Sequence, residues 1–178
     1  MSQIAEILEF WFAPGMAEKW FVTDPDLDRE VRERLGALHE NAAAGELDSW
    51  RGSAEGCLAL LVLLDQTPRN IFRNDPRTYA TDEMARAVTQ HALDLGFDRE
   101  LTHNQRGILY LPLLHSESLA DKERAVELTR PLTENTEFHI WAVHHRDIVA
   151  RFGRFPHRNE ILGRDTTPEE AAFLAEQD

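Results

Sequence analysis

The sequence predicts an all-α protein, and three observations carry that expectation. Apolar residues recur at helical spacing along most of the 178 residues. Residues that start and stop helices punctuate those stretches, and alternating, strand-like runs are almost absent. A composition of 42% hydrophobic and 29% charged residues is that of an ordinary globular chain. Its length suffices to bury one substantial core and is most simply one helical domain, 1–178.

Ile4, Ile7, Leu8, Trp11 and Phe12 fall at i, i+3, i+4, i+7 and i+8, the apolar face of a first helix that stops before Pro14 and Gly15. Asp24 then offers an N-cap with Pro25 at the first helical position, and Leu27, Val31, Leu35, Leu38 and Ala42 line one face until Gly45. Ser53 opens a third helix, apolar on nearly every side from 57 to 64 and therefore expected to be the most buried. A strand is the alternative for so short a run, but Val62 is its only β-branched residue.

Thr81 is placed to cap a fourth helix, whose Met84, Val88, His91 and Leu95 share a face before Gly96. A fifth runs from about 103 to 111, where Pro112 is expected to end or kink it, since proline lacks the amide proton. Ser118 and Asp121 have capping-box spacing for a sixth, which runs to about Arg130. The seventh covers about 136–152, with Trp141, His145, Ile148, Val149 and Phe152 as its apolar face. Thr167, Pro168, Glu169 and Glu170 form a capping box that opens a short last helix. The short connections predict that these roughly eight helices pack as antiparallel sequential neighbours.

The formal charge of -13 argues against general attraction to nucleic acid. The lone Cys57, within an apolar run, excludes an intrachain disulfide and a cysteine-rich zinc site, and reads as a small core residue. The opening MSQIAEILEFWF carries Glu6 and Glu9 and no basic region, so it is not expected to be a secretory signal. No run approaches the roughly 20 apolar residues that span a bilayer. A soluble cytoplasmic protein without membrane contact is expected. Neither a phosphate-binding G-x-x-x-x-G-K-[ST] loop nor a zinc-binding H-E-x-x-H helix occurs, so no cofactor and no metal is anticipated. The oligomeric state is left open, because exposed apolar faces could serve as dimer contacts.

Against this acidic background, residues 144–164 gather Arg146, Arg151, Arg154, Arg158 and Arg164 with His144, His145 and His157, opposed only by Asp147 and Glu160. His145 falls in the apolar stripe of its helix and is expected to bond a backbone carbonyl or a carboxylate. Asp147 stands four residues before Arg151, the favourable order for a helix ion pair. Beyond Gly153, Arg154, His157, Arg158 and Asn159 should project from a turn containing Pro156. Such a turn admits two readings: its arginines enclose an external anion, or they neutralise Asp65, Glu117 and Asp147 within the fold.

Asp65, Gln66, Thr67, Pro68, Arg69 and Asn70 end the most apolar helix. An acid there is not explained by capping, because the C-terminal end of a helix disfavours negative charge. Asp65 is either a purposeful acid or half of a buried pair with Arg69 or a later arginine. Arg106 and Tyr110 stand at i, i+4, and His115, Ser116 and Glu117 follow Pro112. A Ser-His-acid triad is a spatial arrangement that sequence neighbours seldom satisfy, and G-x-S-x-G is missing, so Ser116 is better read as a cap.

The stretches ILEFWF, LLDQTPRNIFR, YLPLLHSES and HHRDIVARFGRFPHRNEILGR, with Trp20, Phe21, Asp24 and the closing TTPEE, resemble the bacterial family known as domain of unknown function 924. The resemblance covers essentially the whole chain. It implies a tetratricopeptide-like α-α superhelix and no activity. This sequence departs from the family at Thr67, where phenylalanine is usual, while Asp65, Gln66, Pro68, Arg69 and Asn70 keep the pattern.

The expected site is a polar groove built from Asp65, Gln66, Arg69 and Asn70, from Arg106, Tyr110, His115 and Glu117, and from His144, Arg151, Arg154, His157, Arg158 and Asn159. Its first reading is a binding module for a small anionic ligand or a peptide carboxylate. The alternative is a hydrolase or other acid-base enzyme with Asp65 or His144 as base and arginines stabilising negative charge.

Overall fold

The computed structural model describes residues 2–134 and 136–176. Its helices are α1 (Gln3–Trp11), α2 (Pro25–Ala43), α3 (Ala54–Leu61), α4 (Thr67–Ile71), α5 (Asp82–Leu95), α6 (His103–His115), α7 (Leu119–Thr129), α8 (Glu137–Phe152) and α9 (Pro168–Ala175). Short 3₁₀ turns lie between several of them, and the described residues contain no strand, so the protein is all-α. A π-helical segment, Val62–Gln66, joins α3 to α4 without a break and makes them one rod.

Several helix starts follow the sequence closely. The Asp24 carboxylate accepts the amides of Asp26 and Leu27 at 3.0 and 3.1 Å, Ser53 accepts that of Gly56 at 3.0 Å, and Thr167 with Glu170 closes a capping box. Two expected caps are spent elsewhere. The Thr81 hydroxyl donates across to the Leu64 carbonyl, and Ser118 makes no side-chain cap; Ser116 instead accepts the Ser118 amide and donates to Asp121.

Pro112 does not end α6, which continues to His115. Thr89 supports it from α5 by donating to the Leu109 carbonyl at 2.9 Å, in the turn before the proline. The three extra residues carry His115 into the site.

The rod of α3 and the π segment is the centre of the core. Leu58, Leu60, Leu61, Leu63 and Leu64 are at most 1% exposed, and burial of each such side chain contributes about 1.5–3 kcal/mol before entropy is counted. Cys57 packs among them, and burial pushes its thiol up to about 11, which keeps it unreactive. Around this rod α1, α5 and α6 pack on α3, α2 packs on α4, and α5, α6, α7 and α8 follow one another as packed neighbours.

On α8 the buried stripe is Phe138, Ala142, Ile148 and Val149. Trp141 therefore falls at its edge and is 44% exposed, not part of the core face that the periodicity suggests. A satellite cluster of Ile148, Val149 and Phe155, flanked by Phe152 and Phe173, docks α9 and the preceding turn onto the end of α8. Among the described residues no helix is long and apolar enough to cross a membrane.

Candidate functional site

The site grows from the π segment, where the Thr67 amide bonds the Val62 carbonyl in an i→i+5 register. Every one of its five carbonyls receives a side-chain donor. Thr67 Oγ1 reaches the Val62 carbonyl at 2.9 Å, His39 Nδ1 that of Leu63 at 2.8 Å, and Thr81 Oγ1 that of Leu64 at 2.5 Å. Arg69 Nη1 bonds the carbonyl of Asp65 at 2.7 Å, and Asn70 Nδ2 that of Gln66 at 3.2 Å. Three residues of the motif after Gln66 thus satisfy the segment from which they emerge. Thr67 is fully buried with its hydroxyl so bonded.

This scaffold holds the Asp65 side chain rigidly. Asp65 is 1% exposed; its Oδ2 accepts Gln66 Nε2 at 2.6 Å and its Oδ1 meets His115 Nδ1 at 2.8 Å and Arg69 Nη1 at 3.2 Å. Burial alone would raise this carboxyl, but the Arg69 guanidinium, then His115 and Gln66, outweigh it and keep Asp65 ionised. An ionised carboxylate only accepts, so the His115 proton sits on Nδ1 and the Nε2 lone pair is bare. Burial, and next the Arg69 charge, hold His115 neutral against the pull of Asp65. No described residue hydrogen-bonds its Nε2.

Arg69 continues outward to Asp82, the first residue of α5, in a fork of 2.9 and 3.0 Å. Arg158, 7% exposed, lies between the rings of Tyr79 and Phe155, 4.4 and 4.6 Å from their centroids. Its Nη2 donates to the His115 carbonyl at 2.9 Å, its Nε has no partner, and its nearest carboxylate, Asp82, stands off at 3.8 Å. It is the least neutralised cation of the cluster.

Arg69, Arg73 and Arg158 converge on a cavity of about 500 Å³ whose walls also include Tyr79, His115 and His157 and contain no carboxylate. Asp65, Asp82 and Asp28, which pair with these arginines, are not part of its lining, while an adjoining cavity that shares Tyr79, His115 and Arg158 is lined by Asp82, Glu83 and Glu117. A larger cavity of about 680 Å³ lies between α1 and α2. Its one arginine, Arg34, shares the lining with Glu6, Glu9 and Glu30, so the cavity is acidic rather than cationic. Among the described residues no three His, Cys, Asp or Glu side chains converge to hold a metal ion.

Of the residues singled out from sequence, Asp65, Gln66, Arg69, Asn70, His115, His157 and Arg158 come together at or directly behind this cavity. The others are engaged elsewhere. Arg106 donates to the carbonyls of Asp98 and Arg99, and Tyr110 to the Asp98 carboxylate at 2.9 Å, which ties α6 to the turn before it. Glu117 accepts the Phe155 amide at 2.8 Å and a two-point contact from Arg164, fastening the arginine turn to the end of α6.

Arg154 forks onto the buried Glu170 at 2.6 and 2.8 Å and thereby holds that carboxyl down to about 2. Asn159 bonds Glu170 and Arg164, and Arg151 meets Glu169 at 2.9 Å rather than Asp147. Asp147 pairs instead with its neighbour Arg146. His144 packs against Trp141 and does not line the arginine cavity, and His145 bonds the Leu114 carbonyl at 3.1 Å.

The arginines of the segment thus divide between internal pairs and the cavity wall. Arg146, Arg151, Arg154 and Arg164 serve internal pairs, and Arg158 faces the cavity. Arg73, Tyr79 and Asp82 escaped the sequence reading. Arg73 had a usable signal, since it follows Arg69 by one helical turn and shares its face.

The fold and the pocket define an all-α protein with an arginine-lined cavity at the end of a buried helical rod. The sequence matches the model of a bacterial protein family of unknown function (DUF924) over residues 7–178, and the chain belongs to that family. Among solved structures it is similar to a protein of unknown function from Agrobacterium tumefaciens, at 45% identity, a TM-score of 0.92 and 97% coverage of each chain. No curated protein matches the sequence.

Proposed function

We propose that this protein is a binding module whose cavity between α4, the end of α6 and the turn after α8 takes a small anion, a carboxylate or a phosphate. One observation carries the reading. Three arginines meet on a lining free of carboxylates, and one of them, Arg158, is buried with no carboxylate closer than 3.8 Å. A buried guanidinium without a close counter-charge is costly, and an anionic ligand relieves that cost. The tetratricopeptide-like arrangement implied by the sequence resemblance supports a binding role by analogy alone.

The test is thermal denaturation in inorganic phosphate and in acetate, against chloride at matched ionic strength. The wild type is expected to melt higher in one of the two anions, by the mass-action stabilisation of about 2.7 kcal/mol at one hundred times Kd. Arg158→Gln is expected to lose that response. A wild type indifferent to both anions contradicts the proposal.

A second reading, acid-base catalysis, is favoured by the Asp65–His115 pair, which orients a neutral imidazole with a bare Nε2 on the cavity wall. This moves the base from His144 to His115. It requires that the wild type, and not His115→Gln, turn over a member of an ester, amide and phosphoester panel; no turnover by the wild type removes it.

A further inference from the structure

The arginine cavity continues into an apolar one. Phe21, His115 and His145 line both it and a neighbouring compartment of about 230 Å³, which Phe138, Trp141 and two leucines of α6 complete. His115 thus stands at the boundary between a cationic half and an apolar half. The compartment exceeds the roughly 150 Å³ that accommodates a benzene molecule.

Two of its walls are unusually placed for apolar side chains. Phe21 and Trp141 are 43% and 44% exposed, although both are aromatic and Phe21 sits edge-on to the buried Phe138 at 5.8 Å. Exposed aromatics beside a concave apolar surface are what a ligand would cover. Beyond them, a third cavity shares Phe21 and Trp141 and is lined by Glu18, Glu134 and Glu137. It also shares Phe21 and Val22 with the arginine cavity, so its acidic lining borders both the cationic and the apolar compartments.

The geometry points to an amphiphilic anion with a single charged head as the ligand. Its carboxylate or phosphate head lies against Arg69 and Arg158, and its aryl or short acyl tail lies against Phe21, Phe138 and Trp141. A second negative charge at the tail's end is disfavoured by the acidic rim. This inference rests on the anion-pocket reading above and adds the chemical class of the ligand. It also accounts for the mixed lining, since a bare phosphate would leave the apolar compartment unused.

The experiment is calorimetric titration of the full chain with acetate, butanoate, hexanoate, octanoate and octanedioate, and with inorganic and phenyl phosphate. Affinity is expected to rise about fourfold per methylene until the compartment is filled, the factor set by about 0.8 kcal/mol per buried methylene. Phenyl phosphate is expected to bind more tightly than inorganic phosphate, and octanedioate more weakly than octanoate. Both Trp141→Ala and Phe21→Ala replace exposed side chains, and each is expected to flatten the chain-length series.

If acetate or phosphate binds and the longer or aryl anions bind no tighter, the amphiphile inference falls while the anion pocket stands. If none of the anions binds, both fall. A chain-length gain that persists in both variants puts the tail elsewhere and also overturns the inference.

Discussion

Lys122 shows at the scale of one residue how far the environment overrides a side chain's ordinary chemistry. In the sequence it belongs to the charged run DKERAVE and looks like a solvated helix face, yet it is fully buried. Its ammonium lies 4.3 Å above the Phe155 ring and donates to the Leu114 carbonyl. Burial, and next the charge of Arg158, push it down to about 6 from an ordinary 10.5. Between those values the unfolded chain binds a proton that the folded chain does not, so Lys122 makes stability rise with pH across this window. Below about 6 the contribution is constant. Lys122→Met should remove a slope of at most about 1.4 kcal/mol per pH unit. The Leu114 carbonyl keeps its bond from His145 in that variant. Urea denaturation of both proteins at several pH values between 6.5 and 10 checks this; parallel pH profiles would contradict it. Asp65, by contrast, was legible, because an acid closing an apolar run contradicts the helix dipole and demands a partner.

At the scale of elements, periodicity exposed most helices, and their caps located α2, α3 and α9 closely. What it missed shares one physical cause, long-range contact. The π segment is stabilised by donors from as far away as His39 and Thr81, and α6 passes Pro112 while packed against α5, α7 and α8. Local propensity contains none of these. The same limit hid a close approach of two helices. Gly107 on α6 faces Phe138 on α8, and a methyl group there would come within 2.1 Å of the ring. Phe138 is fully buried, so its ring can yield only into the apolar compartment that it walls. Gly107→Ala is therefore expected to destabilise the protein by about 1–3 kcal/mol, the usual cost of overpacking. Because Phe138 also walls the apolar compartment, the variant should weaken octanoate more than acetate. An unchanged urea midpoint would mean that α6 and α8 separate more easily than their packing implies.

For the whole molecule, the arrangement of charge matters more than its sum. A chain of net charge -13 repels anions over most of its surface, and three of the five arginines in its arginine-rich segment hold the C-terminal part in place, while a fourth, Arg146, pairs with its neighbour Asp147. The segment stood out in the sequence, but which arginine faces a ligand was not readable there. That depends on where Asp82, Glu117, Glu169 and Glu170 end up in space. The central claim is that Arg69, Arg73 and Arg158 form one anion site, distinct from the internal pairs. Side-chain NMR of the protein labelled with ¹⁵N-arginine, titrated with acetate and then with phosphate, tests this most directly. The account predicts saturable shifts of the Nε–H signals of Arg69, Arg73 and Arg158, with Arg146, Arg151, Arg154 and Arg164 unmoved. Shifts confined to those four, or none that saturate, would contradict it.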